Sequence, residues 1–204
     1  MVTFMVHSAG NRSTAQVRRQ QVLRAATEVF ARTGYYATTI VDVAEATGIS
    51  QGYVMRLFGS KLELFVSVVD RCNDRVAAAL AEAADRVPGG SPEAVLAAMK
   101  DAYADLIADR SLIMIQVHAQ SVADVPEIRD AVRRGLAKLV DSLQVRSRAD
   151  DAQVQRVVAF GMLCQLIVAV GLDDVRLPWA LTLTDGIRHA HRLPEVADDD
   201  PPSD

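Results

Sequence analysis

Apolar residues recur at helical intervals along almost the whole chain, and the recurrences are separated by recognisable stops. From Ala15 to Thr33 the positions Val22, Leu23, Ala26, Val29 and Phe30 share one face, and Gly34 ends the helix. Thr39, with Asp42 three residues on, gives a capping-box-like start to a second helix in which Asp replaces the usual Glu. Ile40, Val43 and Ala44 form the inner face of that helix. Gly48 permits a tight turn, and Ser50 caps a third helix that runs to about Phe58. Ser60 caps a long fourth helix, Lys61 to Arg86, carrying Leu64, Phe65, Val68, Val69, Cys72, Val76 and Leu80. Its length lets it bridge the N-terminal module to the rest. Pro88-Gly89-Gly90-Ser91-Pro92 is the clearest break in the chain. Further helices are expected at about 92–108, 111–122, 126–147, 150–171 and 178–190. Residues 1–13 show no period, and the acidic, Pro-rich end from Asp198 to Asp204 has the composition of a disordered tail. With no strand-like alternation and no internal repeat, the fold class is all-α.

Val157 to Leu172 is apolar almost all the way round. It is short for a membrane span and carries Gln165, so no membrane is expected as a partner. A helix apolar on every side must be covered on every side, either by its own domain or by a second subunit. Gly161 would allow close helix approach, and Trp179, after Pro178, is expected to anchor the last helix against the bundle or to face a ligand.

Composition agrees with helices: half of the residues are hydrophobic, only 5% are aromatic, and Gly and Pro are few. Cys72 and Cys164 lie far apart and suit no metal spacing, so they read as buried apolar residues in a cytoplasmic chain. The net charge of −4 hides an asymmetry. Residues 1–61 hold seven Lys/Arg against three acids, or +4, and the remainder holds fifteen against twenty-three, or −8. A basic head on an acidic body is what local attraction to phosphate requires.

The segment from Thr38 to Lys61 therefore reads as a helix-turn-helix, whose second helix enters the DNA major groove. It also resembles the DNA-binding signature of TetR-type transcriptional regulators, over about Gln16 to Val69. The resemblance is carried by Gly34-Tyr35, Thr38-Thr39, Thr47-Gly48-Ile49-Ser50-Gln51-Gly52, Leu57-Phe58 and Ser60-Lys61. It implies a three-helix DNA-binding domain at the N-terminus and a C-terminal helical domain that dimerises and holds a small-molecule pocket. The corresponding division is a flexible tail at 1–14, the DNA-binding domain at 15–61 with its motif at about 39–58, a ligand-binding and dimerisation domain at 62–192, and a disordered tail at 193–204.

On the third helix, Ile49, Val54, Leu57 and Phe58 are expected to face inward, leaving Ser50, Gln51, Tyr53 and Arg56 outside. Gln51 can pair bidentately with adenine or make less specific contacts. Tyr53 can bond a phosphate or pack on a thymine methyl, and Gly52 lets the backbone approach the groove wall. Arg56, late in the helix, reads as a phosphate clamp. Thr38 or Thr39 at one helix start, and Ser60-Lys61 at another, supply donors to phosphates. The chain departs from the family pattern at Met55, where an aromatic, often Tyr, is usual. Met55 cannot donate to a phosphate, and Arg56 would compensate by charge.

The implied pocket has weaker support: Met99, Tyr103, Met114, Gln116, His118, Met162 and Gln165 are adaptable or polar residues within apolar helices. Methionines in helices are core filler more often than ligand contacts, and a hydrogen-bonded structural histidine is an equal reading of His118. No catalytic residue, metal site or cofactor is expected. His189 and His191 are two apart and diverge on a helix, and no phosphate loop or nucleophile elbow occurs. The expected function is a dimeric, ligand-responsive repressor that binds a palindromic operator in double-stranded DNA and is released by a small apolar or amphipathic effector. The long fourth helix is the expected lever. The alternative is a helical binding module whose DNA-binding domain has degenerated.

Overall fold

A computed structural model describes residues 7–187 as nine α-helices and one short 3-10 turn, with no strand among the described residues. Helix α1 is His7–Ala37, α2 is Ile40–Thr47, α3 is Gln51–Phe58 and α4 is Lys61–Asp85. The remainder is α5 (Pro92–Leu106), α6 (Arg110–Ser121), α7 (Pro126–Ser147), α8 (Asp151–Val170), the turn Leu172–Asp174 and α9 (Pro178–Thr184). Two expectations shift. Helix α1 continues back to His7, into a stretch expected to be without structure, because helix can propagate from a formed turn without an apolar period of its own. Helix α9 ends at Thr184 with Asp185 extended, short of residue 190. His189, His191 and both terminal tails, 1–6 and 188–204, lie outside the described residues.

The head is built by local rules. Gly34 takes φ 76°, ψ 177° and interrupts α1, as its position after Thr33 implied. Thr39 and Asp42 complete a reciprocal capping box, each side chain accepting from the other residue's backbone N–H. Gly48 adopts the left-handed conformation at φ 65°, where any other L-residue pays a penalty, and so allows the turn into α3. Ser50 and Ser60 accept from the Tyr53 and Glu63 amides, each cap being worth about 1 kcal/mol.

Packing joins head to body. Phe65, from the first turns of α4, meets Phe30 edge-on at 4.8 Å between centroids and Tyr35 at 5.1 Å. All of Val22, Ala26, Val29, Phe30, Val43 and Val54 are buried around them. Burying each large side chain contributes about 1.5–3 kcal/mol. Helix α4 then lies between α5 and α7 and is flanked by the ion pairs Arg134–Asp70, Lys138–Asp74 and Arg146–Asp85. These pairs face water and orient more than they stabilise. Cys72 and Cys164 are buried and unpaired, and burial pushes their thiols up to about 12 and about 11.

Helix α8 is not enclosed by the described residues. One face carries the buried Val154, Cys164, Gln165, Ile167 and Val168, while Met162, Leu166 and Val170 stand exposed along the other. By length and composition alone it could cross a membrane, yet Gln165 in its C-terminal half is buried against amides of α6, as a helix of a packed bundle requires. Trp179 corrects another expectation: it is 55% exposed, and Ala180 is the residue of α9 that turns inward.

Candidate nucleic-acid interface and effector cavity

Helix α3 is held at both ends and along its inner face. Its N-terminus is capped by Ser50, and Val54 and Phe58 are buried beneath it. Arg19 of α1 secures the other end: one guanidinium nitrogen donates to the Leu57 carbonyl at 2.6 Å, another to Ser67 Oγ at 3.3 Å, and the group lies 4.1 Å from the Phe58 ring centroid. Sequence reading missed Arg19, since nothing local links it to a residue 38 positions away. The outer face then presents Ser50, Gln51, Gly52, Met55 and Arg56 exposed, with Tyr53 half-buried. The Gln51 side chain makes no hydrogen bond among the described residues, and a Cβ at Gly52 would meet nothing within 4 Å. The Arg56 guanidinium stacks 4.6 Å from the Tyr53 ring centroid, one turn earlier. This stack fixes a long cation against an amphipathic ring, both at the surface. Met55 is exposed beside them, so the departure from the family pattern puts a thioether on the outer face.

Two expected phosphate donors are otherwise engaged. Thr38 is 1% exposed, and its hydroxyl donates to the Gly34 carbonyl at 2.7 Å and lies 2.7 Å from Thr33 Oγ1. It closes the broken end of α1 and is turned away from the surface. The Lys61 ammonium donates to the carbonyls of Tyr35, Tyr36 and Thr38 at 3.0, 3.3 and 3.1 Å, and sits 4.7 Å from the Tyr35 ring centroid. An ammonium has three donors, and all three are spent. Lys61 is a clamp between α4 and the connection leading into α2. Thr39 is exposed, but its hydroxyl both caps α2 and donates to Asp42. Those bonds, the backbone one foremost, hold the Asp42 carboxyl below its ordinary value.

The same connection is gripped from the body. His118 Nε2 lies 3.2 Å from the Ala31 carbonyl, and its Nδ1 is 3.1 Å from where a Cβ on Gly34 would stand. Ser111 Oγ donates to Glu28 of α1 at 2.6 Å. Helix α6 thus docks on the end of α1, and the broken segment from Ala31 to Thr38 is pinned by α6 on one side and Lys61 on the other.

Between α4, α5, α6, α7 and α8 lies a cavity of about 110 Å³. Its walls are chiefly Val69, Val76, Leu80, Ile115, Leu139 and Val157. Of the seven sequence candidates, Met99, Tyr103, Gln116, Met162 and Gln165 line it. Met114 and His118 do not. Helix α6 is two-sided, and residues 114 and 118, one turn apart, are absent from the face that carries Gln116 and Gln120 to the cavity, with His118 turned to α1. Gln165 is buried, donates to Gln116 at 2.8 Å, and accepts from Gln120 at 3.4 Å. Lys100 and Asn73 also line the cavity, and sequence reading had singled out neither.

Residues 22–68 match the family model described as bacterial regulatory proteins, tetR family. The transcriptional activator FasR of Mycolicibacterium smegmatis is 28% identical over 170 residues, which span 82% of this chain and 74% of FasR. The transcriptional repressor AcnR of Corynebacterium glutamicum is 35% identical over 75 residues, 37% of this chain and 39% of AcnR. The crystal structure of FadR from Bacillus subtilis in complex with stearoyl-CoA superposes with a TM-score of 0.64 at 17% identity, covering 83% of this chain and 99% of that one. That likeness is one of fold.

Proposed function

We propose that the chain is a TetR-type transcriptional regulator, as the family match over residues 22–68 and the likeness to FasR support, and that it is a homodimeric repressor whose α3 helices read a palindromic operator and whose cavity receives the effector that releases it. The observation that carries the reading is the outer face of α3. Gln51 stands exposed with its amide unspent, Arg56 is exposed on the Tyr53 ring, and the helix beneath is fixed by Ser50 and Arg19. On this reading Gln51 pairs with a base edge, Arg56 holds a phosphate, and Tyr53 and Met55 pack against the groove. A degenerate module would have lost such groups.

Two such helices must sit about 34–36 Å apart, or a multiple of a turn, to meet successive major grooves. A second copy docked on the exposed Met162–Leu166–Val170 face of α8 would supply the second helix. Coupling to the cavity runs through α6 as much as along α4. Helix α6 carries Gln116 and Gln120 in the cavity wall and His118 against the end of α1. An effector that favours a displaced α6 alters the anchorage of the head and costs DNA affinity by its preference for that state. AcnR, a repressor, favours this sign of control; FasR, an activator, would place the same device at a promoter with the opposite output. The stearoyl-CoA in FadR, a protein of the same fold, supports an apolar or amphipathic effector.

The test is fluorescence anisotropy with the gene's own upstream duplex and a scrambled one across a salt series. Preference for the upstream duplex is expected. Arg56→Ala should weaken both and flatten the salt slope by about one, whereas Gln51→Ala should chiefly remove the preference. Equal, weak binding of wild type and both variants to either duplex would sink the reading.

A further inference from the structure

The cavity's polar groups are unequally employed. Asn73 donates to the Ala131 carbonyl, and Gln165 donates to Gln116 and accepts from Gln120. Lys100 and Tyr103 both line the cavity, and neither side chain makes a hydrogen bond or an ion pair with the described residues. They stand three apart on α5, which puts them on one face of that helix. The Lys100 ammonium sits over the ring of Phe160, another lining residue, at 5.4 Å from its centroid. Tyr103 packs at the backbone of Gly161, where a Cβ would lie 3.5 Å from its ring. Burial raises the Tyr103 phenol, so it remains a neutral donor. A half-buried cation and a phenol, both unmet, share an otherwise apolar chamber.

A neutral ligand filling this chamber would strip water from an unpaired ammonium, and a cationic one would add repulsion; both carry a penalty. An acceptor with negative charge removes it, by a charge-assisted hydrogen bond to Lys100 and a second bond from Tyr103. Resting on the reading of the cavity as the effector site, we infer that the effector is an anionic amphipath, with an apolar chain in the cavity and a carboxylate or phosphate head held by Lys100 and Tyr103. Both residues then determine which effector is accepted.

The experiment titrates the full-length protein by calorimetry with four ten-carbon probes: decanoate, decyl phosphate, decanol and decyltrimethylammonium. At least one anion should bind about tenfold or more tighter than decanol, with the cation weakest. The tighter of the two anions identifies the head. Lys100→Met should abolish the preference for the anions and leave decanol within about twofold, while Tyr103→Phe should weaken only the anions, by several-fold. Gly161→Leu, which fills the chamber beside Tyr103, should block all probes, with circular dichroism confirming the helical fold. Equal binding of anions and alcohol by wild type, or a preference that survives Lys100→Met, overturns the anionic head while the cavity reading stands. Binding of no probe, or binding indifferent to Gly161→Leu, overturns the cavity reading and the inference with it.

Discussion

Lys61, at the first turn of α4, ties that helix to the broken end of α1. Replacing it by Met keeps the length of the stem and removes the ammonium that donates to the carbonyls of Tyr35, Tyr36 and Thr38. Hydrogen bonds to a charged group contribute about 1.5–3 kcal/mol each where water is excluded. Here the ammonium is partly solvated and two of the three bonds exceed 3.0 Å. Freed carbonyls would recover part of the loss through water, so a total of about 1.5–3 kcal/mol is expected. For a chain of this size each kcal/mol moves the melting temperature by about 2–4 °C, which gives a fall of about 3–12 °C. A phosphate-binding lysine would behave differently. Its loss would leave the melting temperature nearly unchanged and lower the salt slope of DNA binding by about one. Thermal unfolding by circular dichroism, with anisotropy on a random duplex across a salt series, measures both. An unchanged melting temperature with a reduced slope would refute the clamp.

Three further outcomes are expected. Filling the cavity with Gly161→Leu should alter DNA affinity, and that effect should shrink in a His118→Ala background by a coupling of about 0.5–2 kcal/mol; strictly additive effects would remove α6 from the route. Leu166→Glu places a charge on the exposed apolar face of α8 and should give monomers in sedimentation at micromolar concentration, whereas a dimer of unaltered mass would move the interface elsewhere. The Asp42 carboxyl is held below its ordinary value by the Thr39 amide and hydroxyl. Its contribution is therefore complete above about pH 4 and is lost as the pH falls through the lower, folded-state value. Asp42→Asn should flatten the acid limb of the stability curve, and coincident acid unfolding of the two proteins would count against the capping box.

What the sequence disclosed, and what it withheld, divides by distance along the chain. The starts of α2, α3 and α4 were legible because Thr39–Asp42, Ser50–Tyr53 and Ser60–Glu63 each bond across three residues. Apolar spacing located α5 to α8 to within two residues at each end, because each helix has an apolar side that must be buried. The outer face of α3 followed from its amphipathic pattern. Arg19 on Leu57, Lys61 on Tyr35 and His118 on Ala31 join residues 38, 26 and 87 apart, and no local pattern encodes such meetings. The same limit explains Thr38, which sits where a surface cap was expected and is drawn inward by Gly34. Lys100 was overlooked because a lysine on a helix is ordinarily solvated, and only the closing of five helices around it makes it conspicuous.

The crowding of Gly34 against His118 bears on how a genetic map of this protein would look. A larger residue at position 34 would be strained by its backbone angle and would press on the imidazole beside it. If the proposed reading holds, a collection of variants chosen for loss of DNA-dependent control would gather at Gly34 and Lys61 as densely as at Gln51 and Arg56. Two of those positions would mark the surface that reads a promoter, and two would mark the joint that aims it. Sorting them needs a second column in the map, the abundance of folded protein, since the joint should fail in both columns and the reading surface in only one.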